Sequence, residues 1–283
     1  MASKSALSLL PIFYSDTFNF PLTYEELWNF LPPSDIKKTE LQSLILTNKK
    51  LFTKHGYICL KGKEKSIEVR EKQEHIVNRE KIRARRFAEL LGIVPWVVCI
   101  CLSGSLAAGH YKEEDDIDLF VVTKPNTVWL TRICLLGMLA LLGKRRKKGQ
   151  IHAPGSICLN MFVDTQGLRL EHLGKDIYIA REIAQLKPLV NKYNTFEQLL
   201  SQNQWIREFF PHAIPVLDVS IMAPLVSPYS RFFNGLAKIV QLPRIQKTRT
   251  TELIEEHLLA FHPGTYHEEI LAQFEAKSRT IPH

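Results

Sequence analysis

The sequence predicts an α/β (α+β) chain: a small helical unit closed by a β-hairpin, a connector helix, a mixed sheet of four or five strands carrying helices, and a helical C-terminal region. Three observations support this. Short apolar runs of strand length at 96–102, 117–123 and 157–163 are separated by helical stretches. Residues 66–92, SIEVREKQEHIVNREKIRARRFAELLG, read as one long charged helix ended by Gly92. The chain has 283 residues and is 45% hydrophobic, enough to bury a core in one large or two modest domains. The expected boundaries are 1–65, 66–92, 93–190 and 191–283.

In the first unit, residues 5–13 predict a helix and 18–22 a turn. Thr23 precedes Glu25 and Glu26, an N-cap with acids in the first helical turn. Pro32 and Pro33 stop that helix. A third helix spans 37–48, and LFTKHGYICLKGK predicts a hairpin turning at His55-Gly56. Three short helices and a hairpin resemble a winged-helix domain in order and length. The third helix offers Lys37, Lys38, Lys49 and Lys50, and the hairpin region offers Lys54, Lys61, Lys63 and Lys65. DNA or RNA backbone contact and a solvated face on a packing module are both open readings of these lysines.

In the central region, Pro95 precedes the first strand, and residues 105–109 open a short helix after it. Asn126 is expected to cap an apolar helix to about Leu142. That stretch, VWLTRICLLGMLALL at 128–142, is shorter than the ~20 residues a membrane span needs and contains Arg132. It reads as a buried helix with Trp129 in the core. A membrane-surface role is a minor alternative, because Lys144-Arg145-Arg146-Lys147-Lys148 follows directly. A short strand is expected near 168–170. Helices are expected at 176–186, 196–202, 205–209, 231–240, 251–261 and 267–276.

The chemistry concentrates in SGSLAAGHYKEEDDIDLFVVT, residues 103–123. Asp116 and Asp118 are spaced D-x-D at the start of a strand, so their side chains leave the same face. Two acids on one face repel unless a cation sits between them. Mg²⁺ (or Mn²⁺) suits such a pair, since it takes carboxylate oxygens together with nucleotide phosphates. The Gly104-Ser105 bend allows close backbone approach and offers N–H groups to phosphate oxygens.

Gly-Ser, then Gly109, then an acidic loop, then D-I-D-L before an apolar strand resembles the DNA polymerase β-type nucleotidyltransferase superfamily. Gly104, Ser105, Gly109, Asp116 and Asp118 each fall on its motif. The order of elements, with the late F-H-P, also resembles prokaryotic nucleotidyltransferase-domain proteins carrying an N-terminal winged helix. The resemblance implies a nucleotidyltransferase-type mixed sheet and an NTP substrate. It also implies Mg²⁺ on Asp116 and Asp118, and transfer of a nucleoside monophosphate to a hydroxyl. Gly104 and Ser105 would cradle the β- and γ-phosphates, and Gly109 would permit the loop geometry. Lys124 and Arg132 would neutralise phosphate; the plainer readings are an exposed lysine and an arginine paired with an internal acid. For the two aspartates the plainer reading is turn or cap acids.

The family presents a third acid on the neighbouring strand. Here the aligned residue is Asn160, which can ligate a metal but is no general base. Asp164 or Glu171 takes the place if the register differs. Nucleotide binding is therefore better supported than turnover, and the alternative is a catalytically weak nucleotide-binding regulator that uses its winged helix on DNA or a protein partner.

The net charge of +8 favours phosphate-bearing partners. Cys59, Cys99, Cys101, Cys134 and Cys158 form no C-x-x-C and fit free thiols in the cytoplasm. No secretory or transmembrane segment is expected, and the ten histidines show no zinc spacing, although His110 lies in the site loop. Tyr178, Arg181 and Lys187 are further residues that would border the nucleotide.

Overall fold

The computed structural model describes residues 3–146, 153–220, 224–247, 253–261 and 264–279. The N-terminal unit begins with α1 (Lys4–Asp16), whose N-cap Ser3 accepts from the Ala6 N–H. Helix α2 (Tyr24–Asn29) starts in a capping box: Thr23 accepts from the Glu26 N–H, and Glu26 accepts from the Thr23 N–H. Helix α3 (Lys38–Thr47) leads into the hairpin β2 (Leu51–Lys54) and β3 (Tyr57–Leu60). Its turn is made by His55 and Gly56, both at positive φ. A two-residue strand, β1 (Leu22–Thr23), adds to β3, so the sheet has the order β1-β3-β2. Leu9, Leu22, Leu27, Leu41 and Ile58 fill the core of this unit.

Helix α4 (Lys65–Leu91) buries Ile67, Val77, Ala84, Ala88 and Leu91 along one face and lies against the central sheet. Buried Glu80 on this helix is paired with Arg79 and Arg83, which ties down part of its basic half.

The central sheet has the order β7-β4-β5-β6-β9-β8. It is built from β4 (Val97–Leu102), β5 (Ile117–Thr123), β6 (Ile157–Asp164), β7 (Lys187–Asn191), β8 (Leu253–Ile254) and β9 (Leu258–Ala260). Among the described residues, β5 and β6 pair in parallel, joined by the apolar α6 (Val128–Leu141), and the other strand pairs are antiparallel. The mixed α/β class is as expected. On one face, Leu119, Val121 and Phe162 pack with Trp129, Leu135 and Leu139 of α6 and with α9 (Pro228–Lys247). On the other, Cys101, Phe120 and Val122 pack with α7 (Ile177–Ala184) and α8 (Thr195–Gln202). The short α5 (Gly104–Ala108) and the C-terminal α10 (Gly264–Ser278) complete the described elements.

Four expectations need correction. Residues 251–261 were expected to be helical, yet 253–254 and 258–260 are strands, so the C-terminal region is not all helix. Leu258 and Leu259 are buried on opposite faces of the sheet, which a strand permits and a helix does not. Residues 168–170 form no strand: Asn203, fully buried, donates to the Leu168 carbonyl and accepts from the Leu170 N–H, taking the place of a ladder. Asn126 does not cap α6. It sits at φ 55° with its N–H donated to Asp164, and Thr127 is the residue before the helix. Strand β7 was unforeseen, because an edge strand opening Lys-Pro carries no alternation and tolerates proline. No helix among the described residues is long and apolar enough to cross a membrane. The five cysteines are free thiols.

Candidate functional site

Strand β4 ends at Leu102; the Ser103 N–H then donates to the Asp118 carbonyl at 3.0 Å, and the chain bends at Gly104. Gly104 has φ 62°, and any Cβ there would collide with the Asp118 carboxylate. A glycine at this position lets the bend lie directly on that acid. Gly109 ends α5 at φ 94°, where a Cβ would press on Phe20. The Ser105 hydroxyl donates to Asp115 at 3.1 Å, and the Lys112 N–H donates to the same oxygen at 3.0 Å. Asp115 therefore organises the acidic loop, a role the sequence analysis did not assign; the D-D-x-D run was the available signal.

Asp116, Asp118 and Cys158 offer ligand atoms within 4.8 Å of one another. Cys158 is the register partner of Asp118 across the parallel β5–β6 pair, so a thiol occupies the position beside the second aspartate. Asn160 lies two residues on, is buried, and has Oδ1 3.9 Å from the Cys158 sulfur. Arg146 donates to Asp116 at 2.8 Å and lies 3.9 Å from Cys158. Burial pushes the Asp118 carboxyl up to about 8; the neighbouring Asp116 charge adds to this and Arg146 opposes it. Burial, and then the two aspartates, push the Cys158 thiol well above its ordinary range.

The alternative third acids are elsewhere. Asp164 is the register partner of Thr123, at the opposite end of β5 and β6. There it accepts from the N–H groups of Asn126 and Gln166 and pairs with His257. Glu171 is held by Arg169 and Lys175. Neither completes the cluster. Lys124 is also misplaced as a phosphate ligand. It follows β5 at its far end, six residues and roughly 20 Å along the strand from Asp118.

The cluster lies in a cavity of about 1220 Å³. The α6–α9 side contributes Arg132, Arg145, Arg146 and Arg244. Among the described residues Arg132 pairs with no acid: it donates to Gln241 at 2.6 Å and sits over the Phe261 ring, and burial lowers it to about 10. The opposite side is aromatic, with Tyr14, Phe18, Phe20, His110, Tyr178 and Tyr266. His110 stacks on Phe18, and burial lowers it to about 4, so it is neutral at physiological pH. Tyr178 and Arg181 line the cavity as expected; Lys187 does not. Arg181 is clamped over the rings of Tyr14 and Phe30 and donates to Ser15 at 2.9 Å, fastening α7 to the N-terminal unit.

Two features of the cavity escaped sequence reasoning. Residues from Tyr14 to Phe20 form part of its wall, a contact between units that spacing does not reveal. Glu182 also lines it, raised to about 7 by burial against the opposing pull of Arg181. Its position beside Arg181 on an amphipathic helix was the only local signal.

Residues 80–209 match the family model of the nucleotidyltransferase domain. That span holds the bend, both aspartates, Cys158, Asn160, Arg132 and Glu182. The crystal structure of a toxin-antitoxin with AMP-PNP is similar at 17% identity over 44% of this chain and 89% of that one, with a TM-score of 0.28. No curated protein matches the chain. The likeness to a nucleotidyltransferase domain thus covers 80–209, the region that carries the cluster.

Proposed function

We propose that this protein moves a nucleoside monophosphate from an NTP to a hydroxyl acceptor in a Mg²⁺- (or Mn²⁺-) dependent reaction that releases pyrophosphate. One observation carries the reading: a left-handed glycine bend rests on one of two clustered aspartates at the floor of an arginine-lined cavity.

The two carboxylates fit a hard divalent cation; the Cys158 thiol, held protonated by burial, is no ligand for it. Asp118 is forced towards its protonated form by burial and by Asp116, and a cation removes that penalty. Asp116 and Asp118 would hold the ion, with the Asn160 amide oxygen as an uncharged neighbour. Bound there, the cation supplies charge neutralisation to the triphosphate and the departing pyrophosphate. Gly104 and Ser105 offer backbone N–H groups to the β- and γ-phosphates. Arg132 adds positive charge from α6. Arg146 holds Asp116 until the triphosphate competes for its guanidinium. Glu182 is the cavity carboxylate suited to take the acceptor's proton, because a base near 7 is half ionised at working pH. Lys124 has no part in this reading.

A second reading rests on a specific observation. With Cys158 and Asn160 where the family has its third acid, the site binds nucleotide and turns it over weakly, as a regulator. The N-terminal unit, read as a winged helix, then meets DNA, RNA or a protein partner through exposed Lys49, Lys50, Lys54 and Lys61. Both readings place the protein in the cytoplasm, where free thiols persist.

The two readings part on pyrophosphate release from each of the four NTPs with Mg²⁺. Release that Asp118→Asn abolishes supports transfer. Tight binding with no release above that variant supports the regulator. No affinity for any NTP contradicts both.

A further inference from the structure

We infer that the outer face of α9 docks this protein on an anionic phospholipid surface. Helix α9 turns Ala237, Gln241 and Ile245 inward, four residues apart, and Gln241 ties it to α6 by donating to the Trp129 carbonyl at 2.9 Å. The side facing away from this seam should be polar in a helix that meets only water. Instead it carries Tyr229, Phe232, Phe233, Leu236, Ile239 and Val240, each 43–77% exposed. Their spacing of three, one, three, three and one makes a continuous stripe. A connected apolar patch of this kind on a soluble surface marks an interaction site.

Charge identifies the occupant. Residues 119–163, which contain α6, hold seven Lys/Arg and no Asp/Glu; residues 219–251, which contain α9, hold five and none. The rest of the chain holds 25 Lys/Arg against 29 Asp/Glu and is slightly acidic. Arg132, Arg145, Arg146 and Arg244 of these two segments line the cavity; Arg231, Lys238 and Lys247 stand exposed on α9, and no acid in either segment offsets them. Arg231 and Lys238 flank the stripe on exposed positions of α9. An apolar ridge bordered by lysine and arginine, without acids, is the pattern of a helix lying in the plane of a bilayer. Its ridge enters the headgroup boundary and its basic groups meet lipid phosphates. A protein-binding face is depleted in lysine, and a nucleic-acid face has no use for six outward apolar side chains. Val240 also lines the cavity, so the ridge borders the nucleotide site without drawing on its chemistry.

The test is flotation of the full chain with phosphatidylcholine vesicles, with and without phosphatidylglycerol. Two double variants accompany it: Phe232→Asp/Ile239→Asp on the ridge and Arg231→Glu/Lys238→Glu beside it. All four positions are exposed, so each variant should melt at the wild-type temperature. The expected result is flotation with the anionic vesicles that weakens with salt, is lost in the ridge variant, and falls on the order of tenfold in the charge variant. Three results overturn the proposal. One is no flotation with anionic vesicles. The second is flotation that the ridge variant leaves intact. The third is a wild-type dimer in sedimentation velocity that fails to float and that the ridge variant renders monomeric, which makes a second copy of this chain the occupant.

Discussion

Strands β5 and β6 carry an acid cluster at one end and a single buried acid at the other, and the two ends are treated in opposite ways. At the far end, Asp164 is fully buried and accepts two backbone N–H groups while pairing with His257. Two backbone donors and the His257 ring converge on its oxygens, and the result is a turn that locks β5, β6 and the loop before α6 together. At the near end, Asp118 faces a second acid and a thiol, under a glycine that leaves no room for a side chain. Burial above all, and then the Asp116 charge, push it to about 8, against the opposing pull of Arg146 and the Cys158 hydrogen bond. The same group builds the fold where donors converge on it and marks a binding site where burial and a second acid crowd it.

The contrast can be broken or sharpened by substitution. The largest effect is expected for Asp118→Asn, which should lower Mg²⁺-dependent pyrophosphate release by at least about 10³-fold, since it removes transition-state charge stabilisation. Wild-type activity in that variant would mean that the cluster is not the site. Glu182→Gln should lower turnover by about 10²-fold and leave NTP affinity unchanged; a fall in affinity with turnover intact would make Glu182 a binding residue. Asp164→Ala should leave NTP affinity alone and destabilise the fold by about 2–4 kcal/mol in urea melts, because buried N–H donors lose their acceptor. Lys124→Ala should change neither affinity nor stability, and any loss of NTP binding would reopen its assignment.

Stability against pH offers a separate check on Asp118. Its folded value of about 8 lies above the roughly 4 of an unfolded aspartate. Between those values the folded chain holds a proton that the unfolded chain has released. The stability this contributes is present below about pH 4 and is lost as pH rises towards 8. Without metal, wild type should lose stability across that window, whereas Asp118→Asn should be flatter and melt higher at pH 8. Parallel curves for the two proteins would show that the carboxyl is not raised.

Much of this site was legible in residues 103–123. The bend is local, and so is a D-x-D pair on a strand, because period-two alternation follows from the backbone alone. Gly109 and the parallel β5–α6–β6 unit follow from turn chemistry and apolar run length. The third position was not legible. The register offset at Leu159–Phe120 decides which β6 side chain faces Asp118, and only the paired strands reveal that Cys158, not Asn160, stands directly beside it. The cavity wall from Tyr14 to Phe20 and the grip of Arg146 on Asp116 are long-range contacts without a local signature. Residues 251–261 show the converse: a helical pattern of leucines that the sheet overrode, because β6 had an unpaired edge and both of its faces needed covering.

The central claim is that Asp118 is held in an unneutralised pocket that a cation and a triphosphate together relieve. Calorimetric titration of a non-hydrolysable NTP with and without Mg²⁺, on wild type and Asp118→Asn, tests it most directly. The account predicts binding to wild type that requires Mg²⁺ and weaker binding to the variant that no longer responds to the metal. Equal, metal-independent binding to both proteins would contradict it.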